Sequence, residues 1–226
     1  MTVDAVCEVN MKRYADALRI LEGQQNDFRK GLGSIWQKLA FLLDDLDISN
    51  FSIWQIGDIV FIYYESPDAT KVSPEQEETF HQIMKPLEKC FQWISSPTED
   101  MRLMYQDFGI PRANKELIRH RVFVTHLHPG MEEEYRNRHA ALETARGDEP
   151  SPGPDSNFSI WYAGGYIFGY DEIDVSMEIE ETPEAHEETI RWETKMLEIM
   201  DWLTDDVDWL TGKRHPHIVR IAHHNY

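Results

Sequence analysis

The chain has 226 residues, of which 41% are hydrophobic and 12% aromatic, and its formal net charge is −19 at pH 7. Such fractions are typical of globular proteins, and the length suits two domains of about 110 residues. The acidic excess argues against nucleic acid and anionic membrane surfaces as partners, since both attract Lys and Arg, and it favours a neutral or cationic small ligand.

The first half of the chain reads as a strand, a helix, a two-stranded hairpin, a second helix and a closing strand. Alternating apolar residues indicate the strands, whereas the first helix has apolar residues three and four positions apart. The second helix begins with a capping box from Ser73 to Gln76 and is expected to be irregular at Pro86. These predicted elements span residues 12–20, 22–47, 51–55 with 58–65, 73–94 and 101–108.

The second half repeats this order, and Thr182-Pro183 begins a long predicted helix that ends before Gly212. The predicted elements span residues 119–127, 131–144, 158–162 with 166–170, 182–210 and 217–224. Residues 147–156 are rich in Pro and Gly. This loop is either a lid beside a site or a neutral surface insertion.

An internal repeat relates the two halves. The segment SNFSIW at residues 49–54 returns at residues 156–161, and ten of seventeen positions agree when residues 49–65 are aligned with residues 156–172. Two copies at this spacing indicate a duplicated domain rather than a solenoid. The order βαββαβ is that of the ferredoxin-like motif, an antiparallel sheet with helices on one face.

We therefore predict an α+β protein with two tandem ferredoxin-like domains, residues 1–110 and 111–226. Each sheet has one bare face, and the two bare faces are expected to cover each other in an intramolecular, barrel-like pseudo-dimer. Further homo-oligomerisation stays open, because an exposed sheet edge can pair with another chain.

The cysteine content and the N-terminus bear on the compartment. Two cysteines, Cys7 and Cys90, do not make a disulfide framework, which favours a reducing compartment. The first ten residues carry two acids and no apolar run, so no signal peptide is predicted. No stretch approaches the roughly 18 apolar residues of a membrane span, and the expectation is a soluble cytoplasmic protein.

One histidine stands out as a candidate for chemistry. Tyr135 and His139 lie four residues apart on a predicted helix and share a face, and histidine is well suited to move protons near neutral pH. When the alignment of the repeat is extended to this helix, the equivalent positions of the first copy carry Phe28 and Leu32. This asymmetry fits a site kept in the second copy and lost from the first, and it also fits drift on an exposed face.

The other histidines offer weaker candidates. His126 and His128 alternate along one strand and share a face, and His126 is a candidate for the wall of a pocket beside His139. Histidines at this spacing also ligate zinc, but no carboxylate or Cys completes a recognisable pattern, so no metal is predicted. The sequence contains no Gly-rich phosphate loop, no Gly-x-Ser-x-Gly elbow and no Cys-x-x-Cys pair.

Several short runs taken together point to a family. In the second half they are residues 119–124 (RHRVFV), Pro129, residues 134–139 (EYRNRH), residues 157–161 (NFSIW) and the strand at 168–172. Residues 12–14, 35–36 and 50–53 look similar in the first half. The set resembles the L-rhamnose mutarotase family, small dimeric α+β-barrel proteins that interconvert the anomers of a 6-deoxy sugar. Each half of this chain resembles one subunit of such a dimer, so the resemblance is to a tandem duplication that joins both subunits in one chain.

The resemblance implies roles for individual residues. It makes His139 the catalytic histidine and Tyr135 a substrate-binding tyrosine. A second substrate-binding tyrosine of the family falls on Phe158, which keeps the ring and lacks the hydroxyl. The family's Ile-Trp-Pro-Glu after the histidine is missing, since residues 141–143 read Ala-Leu-Glu, and this leaves the identity of the sugar open.

Tryptophans supply the remaining candidates. The family's tandem tryptophans have loose counterparts in Trp93 of the first half and in Trp209 or Trp202 of the second, and the resemblance makes Trp209 and Trp202 substrate-binding residues. Trp192 lies on the same predicted helix and is expected to belong to the core. Aromatic faces also stack on the CH faces of sugars, because they are large, rigid and apolar.

The implied reaction is the opening and closing of a cyclic hemiacetal without metal or cofactor. One proton is placed on the ring oxygen and one is removed from the anomeric hydroxyl, and general acid–base catalysis contributes roughly 10²–10⁴-fold. The hypothesis makes His139 the donor to the ring oxygen, Tyr135 a hydrogen-bonding partner, and Trp209 with Phe158 the apolar wall. Three alternatives stay open: an L-fucose mutarotase, a non-catalytic binding or interaction module, and a dimeric-barrel oxygenase.

Overall fold

Two compact units make up the chain. The computed structural model describes residues 11–67, 72–95, 100–110, 112, 114–147, 152–180, 182–203 and 216–226. The first unit contains the residues up to Asp100 together with Arg220–Tyr226, and the second contains Met101–Val219. Each has an antiparallel five-stranded sheet and two α-helices. This confirms the predicted α+β class and is compatible with a ferredoxin-like fold. Within the described residues, no helix has the length and apolar character needed to span a bilayer.

The first unit is built on a hairpin flanked by strands from both ends of the chain. Its elements are β1 (Met11–Ile20), α1 (Gln25–Asp45), β2 (Ser49–Ile56), β3 (Ile59–Pro67), α2 (Pro74–Met84), β4 (Phe91–Trp93) and β10 (Val219–His224). The strand order is β10-β2-β3-β1-β4. Apolar side chains of α1, such as Phe28, Leu32 and Leu39, form one core with buried residues of the sheet.

The second unit has the same plan. Its elements are β5 (Arg102–Gly109), β6 (Ile118–Leu127), α3 (Glu132–Arg146), β7 (Asp155–Ala163), β8 (Tyr166–Asp174), α4 (Pro183–Met196) and β9 (Met200–Trp202). The strand order is β5-β7-β8-β6-β9. Side chains of α3 and α4, including Tyr135 and Met196, pack with Phe123 and Ile160 of the sheet.

The boundary between the units differs from the predicted one between residues 110 and 111. Strand β5, predicted to close the first domain, pairs antiparallel with β7 of the second unit. Strand β10, predicted to close the second domain, lies beside β2 in the first sheet. The Gly109–Pro111 break does end a strand, but a break says nothing about which distant hairpin that strand pairs with.

The second helix of each unit is shorter than predicted. The capping box at Ser73 and Gln76 is present, and the Thr182 hydroxyl accepts a hydrogen bond from the backbone N–H of Ala185. However, α2 ends at Met84, just before Pro86, and α4 ends at Met196. The chain then turns and forms the edge strands β4 and β9. Met200, one of the apolar residues that suggested a longer helix, lies in β9 instead.

The repeated sequence corresponds to a repeated hairpin. Asn50 and Asn157 both adopt a positive φ, of 50° and 56°, at a β-bulge near the start of β2 and of β7. The Asn50 amide donates a hydrogen bond to Glu65 at 2.9 Å, and the Asn157 amide donates one to Glu172 at 3.1 Å. A tyrosine hydroxyl donates to the same carboxylate oxygen in each copy, at 3.1 Å.

Candidate active site

A cavity of about 640 Å³ lies in the second unit, between α3, α4 and the sheet face that these helices cover. Its volume is within the roughly 300–1,000 Å³ of ordinary small-molecule sites. The sheet contributes the rings of Tyr105, Phe123 and Phe158, and the helices contribute His139 and Trp192. The walls are therefore largely aromatic and suit a ligand with an apolar face.

His139 lies on the wall of this cavity as a neutral base. Its side chain is 5% exposed, and burial lowers its pKa to about 4. Its Nδ1 lies 3.0 Å from the backbone carbonyl oxygen of Tyr135. A carbonyl oxygen only accepts, so Nδ1 carries the proton and donates it. In the neutral ring, Nε2 then has a lone pair available to take a proton from a ligand.

Aromatic rings surround the imidazole. The Tyr135 ring stacks on it with centroids 4.3 Å apart, and the Trp192 indole meets it edge-on at 5.2 Å. Tyr105 lies 5.4 Å away and contacts Phe158 at 5.5 Å. Burial raises the pKa of the Tyr135 hydroxyl far above its ordinary value, so this hydroxyl keeps its proton and can donate a hydrogen bond.

A carboxyl group lies on the same wall as the tryptophan. Thr189, Trp192, Glu193 and Met196 all line the cavity, and their spacing of three and four residues is that of one helix face. Glu193 is 2% exposed. Its Oε1 accepts a hydrogen bond of 2.7 Å from the indole N–H of Trp202. The cavity thus has a neutral imidazole on α3 and a buried carboxyl group on α4.

The sheet side of the cavity carries an Arg–Asp pair. Arg121 lines the cavity and pairs in register with Asp171 on β8. Burial raises the pKa of Asp171 to about 8, the nearby Asp155 carboxylate adds to this, and Arg121 opposes it. Asp171 therefore holds a proton at neutral pH.

A model of the L-rhamnose mutarotase family matches residues 120–217. This segment is similar to members of that family. It covers less than half of the chain and lies within the second unit, where it includes the histidine, the carboxyl group and most of the aromatic walls of the cavity. The match does not extend to the first unit.

The other comparisons add no further relative. No curated protein matches the chain. A solved structure, that of CrmK, a flavoenzyme involved in shunt product recycling in caerulomycin biosynthesis, matches with 14% identity and a TM-score of 0.27. The match covers 80% of this chain and 40% of the CrmK chain, so the chain spans less than half the length of that protein.

Four of the predicted site residues come together at the cavity, within the segment that the family model matches. Tyr135, His139, Phe158 and Trp202 all line the cavity. Trp202 does so from the short strand β9 and not from the long helix that the sequence suggested, because α4 has already ended. Trp209 lies outside the described residues.

His126 is not brought to the cavity. On β6, side chains point alternately to the two faces of the sheet, and the cavity takes Arg121 and Phe123 from this strand. His126 therefore points to the opposite face, where its ring contacts Tyr166 with centroids 5.2 Å apart. The expectation that it lines the pocket beside His139 is wrong, although Phe123, three residues earlier, occupies such a position.

Trp192, Glu193 and Tyr105 are among the cavity residues that were not predicted as site residues. Trp192 was assigned to the core, Glu193 follows it on the helix, and Tyr105 was attributed to the first domain with the rest of β5. The helical spacing of residues 189, 192, 193 and 196 was the available signal for the first two. For Tyr105 there was none, because its place depends on the pairing of β5 with β7.

In the part of the chain that the structure covers, no group of three or more His, Cys, Asp or Glu side chains is placed to hold a metal ion. The cavity residues themselves are an imidazole, carboxyl groups, cationic side chains and aromatic rings, which are suited to binding a polar ring compound directly.

Proposed function

We propose that the second unit is an aldose mutarotase that interconverts the α and β anomers of a 6-deoxy sugar such as L-rhamnose. The observation that carries this proposal is the neutral His139 imidazole, which faces an aromatic cavity with Nε2 available as a base. The family match over residues 120–217 supports the same reaction class. The proposed substrate is the free sugar, and the proposed compartment is the cytoplasm.

Because His139 is neutral, we assign it the role of proton acceptor, whereas the sequence suggested that it is the proton donor to the ring oxygen. Nε2 of the neutral imidazole takes the proton of the anomeric hydroxyl. The bond from the anomeric carbon to the ring oxygen breaks, its electron pair goes to the ring oxygen, and the anomeric C–O becomes a carbonyl. After rotation about the adjacent C–C bond, the new hydroxyl attacks the other carbonyl face, and each proton returns to its source.

The ring oxygen needs its own proton donor, and we assign this role to Glu193. A carboxyl group buried against an indole is a known arrangement for a general acid, with lysozyme as the reference case. Tyr135 is a poorer acid, since burial raises the pKa of its hydroxyl, and it serves as a hydrogen-bond donor to the sugar. Glu193 and His139 on facing helices supply the two proton positions that the reaction requires.

The walls of the cavity fit a deoxy sugar. Trp192, Tyr105 and Phe158 offer ring faces and edges to CH groups and to the C6 methyl, while Arg121 offers donors to sugar hydroxyls. Phe158 lacks the hydroxyl of the substrate-binding tyrosine that the family has at this position, so the cavity differs there from a site for L-rhamnose. L-fucose is therefore the second sugar to test.

We also infer that the two units are tandem copies of one ferredoxin-like module, and that they form an intramolecular pseudo-dimer. The support is the sequence repeat that aligns residues 49–65 with residues 156–172 and the exchange of β5 and β10 between the two sheets. In this proposal the first unit, with Phe28 and Leu32 at the positions equivalent to Tyr135 and His139, has no mutarotase site.

The test is anomer exchange measured by saturation-transfer NMR with L-rhamnose and L-fucose. Wild type is expected to exchange anomers faster than buffer, and His139→Ala is expected to lose about 10²-fold or more of the enzymatic rate. His126→Ala is the matched control, because this histidine of the same unit points away from the cavity, and it should keep the wild-type rate. Equal exchange in wild type and buffer for both sugars would refute the function. An unchanged rate in His139→Ala would refute the role of the imidazole.

A further inference from the structure

The first unit contains a cavity of its own. A volume of about 240 Å³ lies between α1, α2 and the sheet, with Phe28, Leu32 and Leu39 on one wall. Protein interiors are close-packed and rarely leave voids larger than a water molecule, whereas an engineered cavity of about 150 Å³ is large enough to bind benzene. The space therefore suffices for a small ring compound.

This cavity is not an empty version of the mutarotase site. The second unit has Phe123 on its sheet wall with its ring over Gly169, where a Cβ would lie 2.1 Å from ring atoms. In the alignment of the repeat, the equivalent positions of the first unit carry Asp16 and Ile62, and both line the first cavity. The first unit therefore presents a carboxyl group from the sheet where the second presents an aromatic ring.

Asp16 is held in position at the sheet wall. The Ser95 hydroxyl donates a hydrogen bond to Asp16 Oδ1 at 3.1 Å, and the same hydroxyl accepts one from the Ala17 backbone N–H at 3.0 Å. Beside it, the rings of Tyr14 and Tyr64 stack with centroids 5.1 Å apart, and Tyr64 lines the cavity. The wall thus combines a fixed carboxyl group with a stacked aromatic pair.

The charge of the cavity has one sign. Asp16 and Glu77 line it, and the described lining residues include no Lys, Arg or His. Asp100 also acts on Asp16 through its charge. A carboxyl group next to an aromatic face attracts a cation through both the ion pair and the ring quadrupole. A ligand with an apolar body and a cationic head would match the wall at both ends.

We propose that the first unit binds a small apolar amine, with its ammonium group on Asp16 and its ring or alkyl body between α1 and the sheet. The mouth lies on the α2 side, where Val72 and Phe80 line the cavity and are 57% and 36% exposed. This site is independent of sugar binding in the second unit.

The affinity of such an amine depends on pH in a defined direction. Burial and the Asp100 charge raise the pKa of Asp16 to about 7 in the empty protein, and the ammonium needs the ionised carboxylate. Ionised Asp16 therefore increases from about a tenth of the molecules at pH 6 to about nine tenths at pH 8, and the affinity rises about tenfold. Among the described residues, Tyr14, Tyr64 and Asp100 are acidic groups near Asp16, and Glu77 lines the same cavity. Each of them favours the cation when ionised.

Isothermal titration of the full chain with 2-phenylethylamine, 2-phenylethanol and 3-phenylpropionate tests the proposal. The amine should bind at least tenfold more tightly than the alcohol at pH 8, and the carboxylate should not bind. Asp16→Asn should bring the amine to the affinity of the alcohol. Asp58→Asn, at an exposed carboxylate paired with Arg19, is the matched control and should change nothing. Nuclear Overhauser effects from the bound amine to the Leu32 and Leu39 methyl groups should locate it.

Equal affinities for amine and alcohol would overturn the proposal, as would undiminished amine binding by Asp16→Asn. Absence of binding by all three compounds would mean that the cavity is only loose packing, and it would overturn the proposal equally. Should Asp16→Asn fail to fold, the wild-type amine affinity at pH 6 and pH 8 decides: a tenfold increase supports the site, and a flat profile refutes it. None of these outcomes bears on anomer exchange, which is measured separately.

Discussion

Replacing Glu193 by Gln is the sharpest perturbation of the proposed reaction. The amide oxygen of Gln can still accept the hydrogen bond that Trp202 donates at 2.7 Å, and the side-chain volume hardly changes. The substitution therefore removes a transferable proton and leaves the wall in place. General acid catalysis contributes roughly 10²–10⁴-fold, so the enzymatic exchange rate should fall by at least about 100-fold, or about 2.7 kcal/mol in the barrier.

The assay is saturation-transfer NMR on L-rhamnose, combined with a titration of sugar binding. Binding by Glu193→Gln should stay within about threefold of wild type, because the loss concerns only the transition state. Glu193→Asp, which retains the acid on a shorter stem, should recover part of the rate. A Glu193→Gln variant that exchanges anomers at the wild-type rate would refute the proton-donor role. A variant that loses binding and rate together would mean that the carboxyl group only shapes the wall.

Three further predictions concern protonation and backbone geometry. Because burial lowers the pKa of His139 to about 4, anomer exchange should stay constant from pH 7 to 5 and decline only near pH 4. Its folded pKa lies below the unfolded value of 6.5, so the contribution of His139 to the free energy of unfolding, taken as the difference in urea unfolding between wild type and His139→Gln, should fall by up to about 3 kcal/mol as the pH drops from 6.5 to 4. A rate that falls already at pH 6.5 would contradict the burial of the ring. The raised pKa of Asp171 has the opposite sign: the contribution of this residue to stability should decrease as the pH rises from 4 towards 8. Asp171→Asn should therefore be more stable than wild type at pH 8 but not at pH 4. Asn157→Ala should destabilise the second unit by about 1 kcal/mol more than Asn157→Gly does, since both lose the amide bond to Glu172 but only Gly accepts the positive φ at low cost; equal urea midpoints for the two variants would contradict this.

Local features of the fold were readable from the sequence because they depend on neighbouring residues. The repeated segments gave both hairpins, and Ser73 and Thr182 gave both helix starts. Helix ends were harder to predict. Met200 follows Met196 at a spacing of four residues, which suits a helix, but Met200–Trp202 forms a strand by pairing with Thr125–Leu127. The exchange of β5 and β10 depends wholly on long-range pairing, which no local pattern records.

In the candidate site, too, features set by neighbouring residues were predicted and those set by long-range packing were not. Tyr135 and His139 were found because a helix brings residues four apart onto one face. His126 was placed wrongly because its face was judged from proximity in sequence to the site rather than from the alternation along β6. Glu193 was missed because its position depends on α4 covering this face of the sheet. Tyr105 was missed because its position depends on the pairing of the edge strand β5 with β7. The proposed direction of proton transfer also needed the structure, since it rests on the hydrogen bond of Nδ1 to the Tyr135 carbonyl.

The most direct test of the account is a crystal structure of the chain with L-rhamnose bound. The sugar is expected in the cavity of the second unit, with the anomeric oxygen within about 2.6–3.2 Å of His139 Nε2 and the ring oxygen on the Glu193 side. A sugar bound elsewhere, or turned so that its anomeric centre is away from the imidazole, would contradict it.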